Sequence, residues 1–276
     1  MHKNLVQDSA FFLCKALHFY FAIHKLAVDI RKALKKWNVK GIIDNEKNIY
    51  SVSQDTKLLS KVFELYVTPI LYKFAEKYHL EIEPAQTQIQ YPDYSLRGDV
   101  LGLGEKWLAL DLKSTTRNAD NPERIGGFTL GSFRGALRNP TSTQYSRFPY
   151  VDYGAHWCLC FVYTRANNVN EHTVYSLDEI NKIPDAVKNI DVYIQEKFKL
   201  AWYTPGSGNT ANIGSVKTIK DIVDGTGPFG ELGEYVFEDY WRNYLRKEDA
   251  KQLGLDKQPY TNIKSYLEWQ KSQEKG

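Results

Sequence analysis

The most regular hydrophobic pattern in the chain lies in "TKLLSKVFELYVTPILYKFAEKYHL", residues 56 to 80. Leu58, Leu59, Val62, Phe63, Leu65 and Tyr66 recur at helical spacing, and Asp55 stands where a carboxylate can cap the first turn. Pro69 either kinks this helix or divides it in two. An apolar run, "HWCLCFVYTR" (156 to 165), predicts a buried strand. "DVYIQEKFKLAWY" (191 to 203) predicts another strand, and "GIID…NIYSV" a short hairpin. An amphipathic first helix runs to about Trp37, and two helical segments near 234 to 250 and 261 to 272 close the chain. Strands mixed with flanking helices imply an α/β (α+β) architecture, a mixed central β-sheet between helices. With no repeat, low-complexity tract or long linker, residues 1–276 are expected to form one domain, with 1–25 a helical N-terminal extension.

One alternating stretch carries charge where core is expected. In "WLALDLK", Leu108, Leu110 and Leu112 share one face of a strand, and Trp107, Ala109, Asp111 and Lys113 share the other. Gly102 and Gly104 supply a turn back to "YPDYSLRGDVLG". If the turn centres near Gly102, Asp93 lies opposite Asp111, because both are nine positions from it. A bulge would shift this register by a residue or two. Two nearby carboxylates repel and raise one another's pKa unless a cation lies between them. Mg²⁺ takes oxygen ligands of this kind, polarises a phosphoryl oxygen and activates water. Lys113 is placed to orient or deprotonate that water, or to offset charge on a pentavalent phosphate. An exposed Asp111–Lys113 ion pair at a strand end accounts for the same spacing. The other Pro-Asp, at Pro184 and Asp185, has no Asp/Glu-x-Lys in the next thirty residues.

Composition adds little to this. Hydrophobic content of 42% and charged content of 25% are ordinary for a globular protein, and a net charge of +3 does not point to nucleic acid. From Lys113 to Arg147, however, Lys113, Arg117, Arg124, Arg134, Arg138 and Arg147 face only Asp120 and Glu123. This local excess fits either a polyanion surface or a solvated face. Cys14, Cys158 and Cys160 make no metal-binding spacing, and their odd number argues against a disulfide framework. "AFFLCKALHFYFAI" (10 to 23) is interrupted by Lys15 and His18 and is too short to span a bilayer. A cytoplasmic protein without a membrane segment is the expectation.

"PD…DLK" resembles the PD-(D/E)xK nuclease signature, and the surrounding sequence resembles the EcoRV-like type II restriction endonucleases of that superfamily. "DTKLLSKVFELYVTPI", "YPDYSL", "DLKSTT", "FTLGSF", "AHWCLCFVYTR", "GSGNTANIGS" and "DYWRNY" carry the likeness in the same order, from about Gly41 to about Trp269. The resemblance implies a restriction-endonuclease-like fold, with Asp93 and Asp111 binding Mg²⁺ and Lys113 completing the catalytic set. It adds Glu64 as a third acidic metal ligand and catalytic residue. It also implies DNA contacts at Thr56 and Lys57, at Ser114 and Thr115, and through a base-reading loop of Gly206, Ser207, Gly208, Asn209, Thr210, Ala211 and Asn212. Glycines let backbone approach a base edge, and Asn pairs with adenine in the major groove. Ala211 replaces a threonine of the family. Gln86, Gln88 and Gln90 fall where the family carries its minor-groove loop. The implied activity is Mg²⁺-dependent cleavage of palindromic double-stranded DNA, GATATC or a close variant, bluntly at its centre, leaving 5′-phosphate and 3′-hydroxyl ends. A homodimer and a protective methyltransferase in the host follow from the same likeness. Two other readings stay open: a structure-specific nuclease of repair or recombination, and a DNA-binding relative without catalysis.

Overall fold

The structure is a computed structural model that describes residues 19–35, 37–52, 55–166, 173–206 and 211–274. The first helix, α1, covers 19–34 among these. A hairpin of β1 (Gly41–Ile43) and β2 (Asn48–Ser51) follows, then α2 (Thr56–Lys77). Next come β3 (Glu81–Pro84), β4 (Tyr94–Arg97), β5 (Trp107–Thr116), β6 (Tyr153–Arg165), β7 (Val174–Ser176) and β8 (Val187–Glu196). A single helical turn, α3 (Lys197–Leu200), leads into the β9 (Ala201–Pro205) and β10 (Ile213–Ser215) ribbon. The chain closes with α4 (Ile219–Asp224), α5 (Glu234–Asn243), α6 (Lys247–Gln252) and α7 (Ile263–Gln273).

The central sheet has the order β3-β4-β5-β6-β8. Only β5 and β6 run parallel, so the sheet is mixed, as the sequence pattern predicts. A smaller antiparallel sheet joins β1, β2 and β7. This is the restriction-endonuclease-like topology, a mixed sheet flanked by helices.

The apolar run of β6 is continuous because two cores meet there. Trp157, Leu159, Phe161 and Tyr163 join the core that contains α1 and α2, where Phe63 stacks on Phe161 at 5.0 Å. Cys158, Cys160 and Val162 face the other core, with Phe237, Tyr240 and Trp241 of α5 and Tyr266 of α7. Removing the water from each such large side chain stabilises the fold by roughly 1.5–3 kcal/mol. In α1, Ala22, Ile23, Leu26, Ala27, Ile30 and Leu34 lie in the first core, so this helix packs on its own chain.

Asp55 caps α2, its carboxylate accepting from Lys57 N at 2.7 Å and Leu58 N at 3.2 Å. The helix runs through Pro69 without dividing. Proline removes the bond to the carbonyl four residues back, here Leu65, and both residues are exposed, so water can serve that carbonyl. The expectation of one strand over 191 to 203 is corrected. β8 ends at Glu196 and α3 breaks the alternation; its carbonyls at Lys199 and Leu200 accept from Gly227 N and Val216 N. The ribbon that follows is separate from the central sheet.

Candidate active site

β4 and β5 pair antiparallel with Tyr94 opposite Leu110, Ser95 opposite Ala109 and Leu96 opposite Leu108. The two numbers of every pair sum to 204, so the register is centred on residue 102 and, continued by one step, sets Asp93 opposite Asp111. Gly102 takes a φ of 67°, a conformation open to glycine at little cost, directly after the short turn Asp99–Leu101. The alternation holds as well. Leu108 and Leu110 enter the first core, while Trp107 and Ala109 pack on the opposite face with Tyr153.

Three charges meet at the open end of this hairpin. Asp93 Oδ2 accepts a hydrogen bond from Leu112 N at 2.6 Å. Lys113 Nζ forms an ion pair with Asp111 Oδ2 at 2.6 Å, both groups being largely buried. Burial and then the neighbouring Asp111 push the Asp93 carboxyl up to about 7, against the pull of Lys113 and the Leu112 N–H. Burial also opposes the charge of Asp111, yet Lys113 and Lys197 outweigh it and hold that carboxyl below the usual range. The Lys113 ammonium loses by burial and gains more from Asp111 and Asp93, so its pKa rises. Without a further cation, Asp93 is therefore the carboxyl that takes up a proton as pH falls through neutrality, while Asp111 stays charged. Two buried carboxylates side by side, one of them driven towards its protonated form by the other, are an oxygen donor set suited to a hard divalent ion.

Asp93 stands between two clefts. One also holds Asp111, Lys113, Lys197, Gln88 and Gln90. The other holds Glu64, Lys57, Lys61, Gln86 and Gln88. Glu64 thus shares a cleft with Asp93 and not with Asp111, and its Oε2 accepts from Lys61 Nζ at 2.5 Å. Thr56 and Lys57 are exposed in the first turn of α2. Ser114 Oγ is 2.6 Å from Ser60 Oγ of that helix, and Thr115 is buried. Gln86 and Gln88 are exposed, whereas the Gln90 side chain turns back to accept from Gln86 N at 3.0 Å.

Gly206, Ala211 and Asn212 form the base of the Gly-Ser-Asn loop; Ser207, Gly208, Asn209 and Thr210 lie outside the described residues. Gly206 N donates to the Asn212 carbonyl at 2.9 Å, and the Ala211 carbonyl accepts from Phe133 N at 2.9 Å. This base is therefore fastened to the segment at Gly131 and Ser132 that walls the Asp111 cleft.

The basic excess of residues 113–147 is mostly internal. Arg117 binds Asp191, Arg134 binds Asp249, Arg138 donates to the carbonyls of Arg242 and Tyr244, and Arg147 pairs with Glu83 at 2.9 Å. Sequence reasoning also missed Lys197. Its ammonium is buried 3.9 Å above the Tyr91 ring centroid, within the electrostatic reach of Asp111, and burial lowers its pKa. Read as part of a strand, Lys197 gave no signal.

His156, Glu234 and Glu238 form a further group consistent with divalent-metal binding, with one ligand atom from each within 4.8 Å of the others. Among the described residues no helix is long and apolar enough to cross a membrane.

The family model described as "Restriction endonuclease EcoRV" matches residues 33–271. The type II restriction enzyme EcoRV of Escherichia coli is 40% identical over 237 residues, which are 85% of this chain and 91% of that protein. A solved structure, the NlaIV restriction endonuclease, is similar at 12% identity with a TM-score of 0.38, over 83% of this chain and 89% of that one.

Proposed function

The chain belongs to the EcoRV family of restriction endonucleases and is a DNA-cleaving hydrolase; from that premise we propose that it is a Mg²⁺-dependent type II enzyme that cuts both strands of GATATC, or a close variant, bluntly at the centre. The observation that carries this reading is the pairing of β4 with β5, which sets Asp93 against Asp111 with the Lys113 ammonium alongside.

Asp93 and Asp111 would hold Mg²⁺, with Glu64 joining through Asp93 from the adjoining cleft. Bound there, the ion would polarise a phosphoryl oxygen and lower the pKa of an attacking water. The protein's own groups do the rest. Leu112 N holds one Asp93 oxygen, so the carboxylate keeps its direction as the proton leaves. Lys113 offsets negative charge on the phosphate in a site where burial strengthens that attraction. Lys197 adds to the support of the Asp111 charge. In-line attack would leave a 5′-phosphate and a 3′-hydroxyl.

Base reading is assigned to Gly206–Asn212, with Gln86, Gln88 and Gln90 in the minor groove and Thr56, Lys57, Ser114 and Thr115 near the backbone. A two-fold homodimer matches a palindromic site, one subunit per strand. A flexible central pyrimidine–purine step would let DNA bending contribute to specificity. A host methyltransferase would protect the same sequence, and the enzyme would work in the cytoplasm. The test is digestion of phage DNA of known sequence with Mg²⁺, followed by sequencing of fragment ends. Blunt ends within GATATC support the reading; cohesive ends, or cutting at branches with no discrete fragments, refute it.

A further inference from the structure

Behind the cleavage cleft, α5 presents two acids to the protein interior. Glu234 and Glu238 stand four residues apart on one helix face, where like charges repel, yet both are half-buried. They face His156 of β6, and the three side chains bring a ligand atom each within 4.8 Å. Solvent would be the ordinary destination of such a pair.

Two neighbours are also arranged around this group. The Tyr150 hydroxyl, on a residue only 5% exposed, lies beside Glu238 without completing a hydrogen bond to any described residue. Its ring stacks on the imidazole at 4.5 Å. Tyr91 Oη sits 2.7 Å from His156 Nδ1. When Nδ1–H donates to that oxygen, Nε2 carries the lone pair that a metal needs, the outer contact that commonly fixes a ligating imidazole. Arg242 Nη2 lies 3.5 Å from Glu238 Oε2, an ion pair along the helix that leaves Glu234 as the acid without a salt bridge among the described residues.

We propose that His156, Glu234 and Glu238 form a structural site for Zn²⁺ or a similar borderline divalent ion, separate from the Asp93–Asp111 pair, that ties α5 to β6 and fixes Tyr91 at the wall of the cleft. One imidazole nitrogen and two carboxylates match a three-ligand zinc site completed by water, whereas Mg²⁺ favours oxygen ligands in an octahedron. Tyr91 lies two residues before Asp93, so the ion would steady the strand entry that aims the cleavage carboxylate. The site stands or falls independently of the assignment of Asp93 and Asp111.

Equilibrium dialysis of the full-length protein against Zn²⁺ in excess Mg²⁺ tests this. Wild type and Asp111→Ala should each retain one Zn²⁺ per chain and melt at a higher temperature with it. Glu234→Gln/Glu238→Gln should lose more than about 100-fold in affinity, beyond what loss of an outer contact alone causes. Zinc lost in Asp111→Ala, kept in the glutamine variant, or absent from wild type overturns the proposal. Should the double variant fail to fold, Co²⁺ added to wild type decides. A visible band of a low-coordinate nitrogen–oxygen site that Zn²⁺ abolishes supports it, and no such band overturns it.

Discussion

Divalent-ion affinity at the hairpin should depend on pH with a midpoint set by Asp93. In the metal-free protein that carboxyl is pushed from an ordinary 3.8 to about 7, by burial first and by Asp111 second. An ion binds the carboxylate, so the proton must leave. Apparent affinity then scales as 1/(1 + 10^(pKa − pH)), a penalty of about 11-fold at pH 6 and about 1.1-fold at pH 8. The difference is about tenfold, or ~1.4 kcal/mol. Calorimetric titration with Ca²⁺ in two buffers of different ionisation enthalpy measures both quantities. About 0.9 proton should be released per ion at pH 6 and about 0.1 at pH 8. The sign for folding is the companion result. The folded pKa is raised, so the stability linked to this proton is present at low pH and is lost as pH rises from about 4 through about 7 in metal-free protein. Asp111→Asn removes the repulsion and leaves Lys113 to Asp93 alone, so affinity should fall and its pH dependence flatten. Equal wild-type affinity at pH 6 and 8, with no proton release, would refute the reasoning.

Three further outcomes are expected. Asp111→Ala should lower cleavage by at least about 10²–10³-fold while leaving DNA binding in Ca²⁺, read by gel shift, near wild type; a variant that still cuts removes Asp111 from the site. Lys197→Met should weaken Ca²⁺ binding least and reduce the cleavage rate at saturating DNA about tenfold, with Lys197→Arg recovering part of it, because Lys197 supports the charge of Asp111; an unchanged rate would make this ammonium a packing residue only. Asp55→Ala should cost about 1 kcal/mol in urea unfolding through loss of the α2 cap, and the salt dependence of DNA binding should not move.

Where local rules decide the structure, the sequence is informative. The Asp93–Asp111 register follows from a glycine turn and a two-residue period, and Asp55 caps α2 because a short acid before a periodic run can hardly do otherwise. Lys197 escapes that logic. The helical turn at Lys197–Leu200 interrupts an alternation that reads as strand, and its backbone partners, Val216 and Gly227, are distant in sequence. The arginines of the basic stretch look like a polyanion surface until Asp191, Asp249 and Glu83 are brought to them by tertiary packing. His156 and the two glutamates of α5 are likewise joined only by the fold, since helix periodicity alone would assign Glu234 and Glu238 to solvent. Glu64 is intermediate: its apolar neighbours indicate a helix face, while its cleft depends on how α2 meets β4.

The pairing of two acids on one cation is tested most directly by anomalous diffraction from crystals soaked in Mn²⁺. An anomalous peak within bonding distance of carboxylate oxygens of both Asp93 and Asp111 is the predicted result. A peak that contacts neither residue, in a protein that cleaves DNA with Mn²⁺, would contradict it.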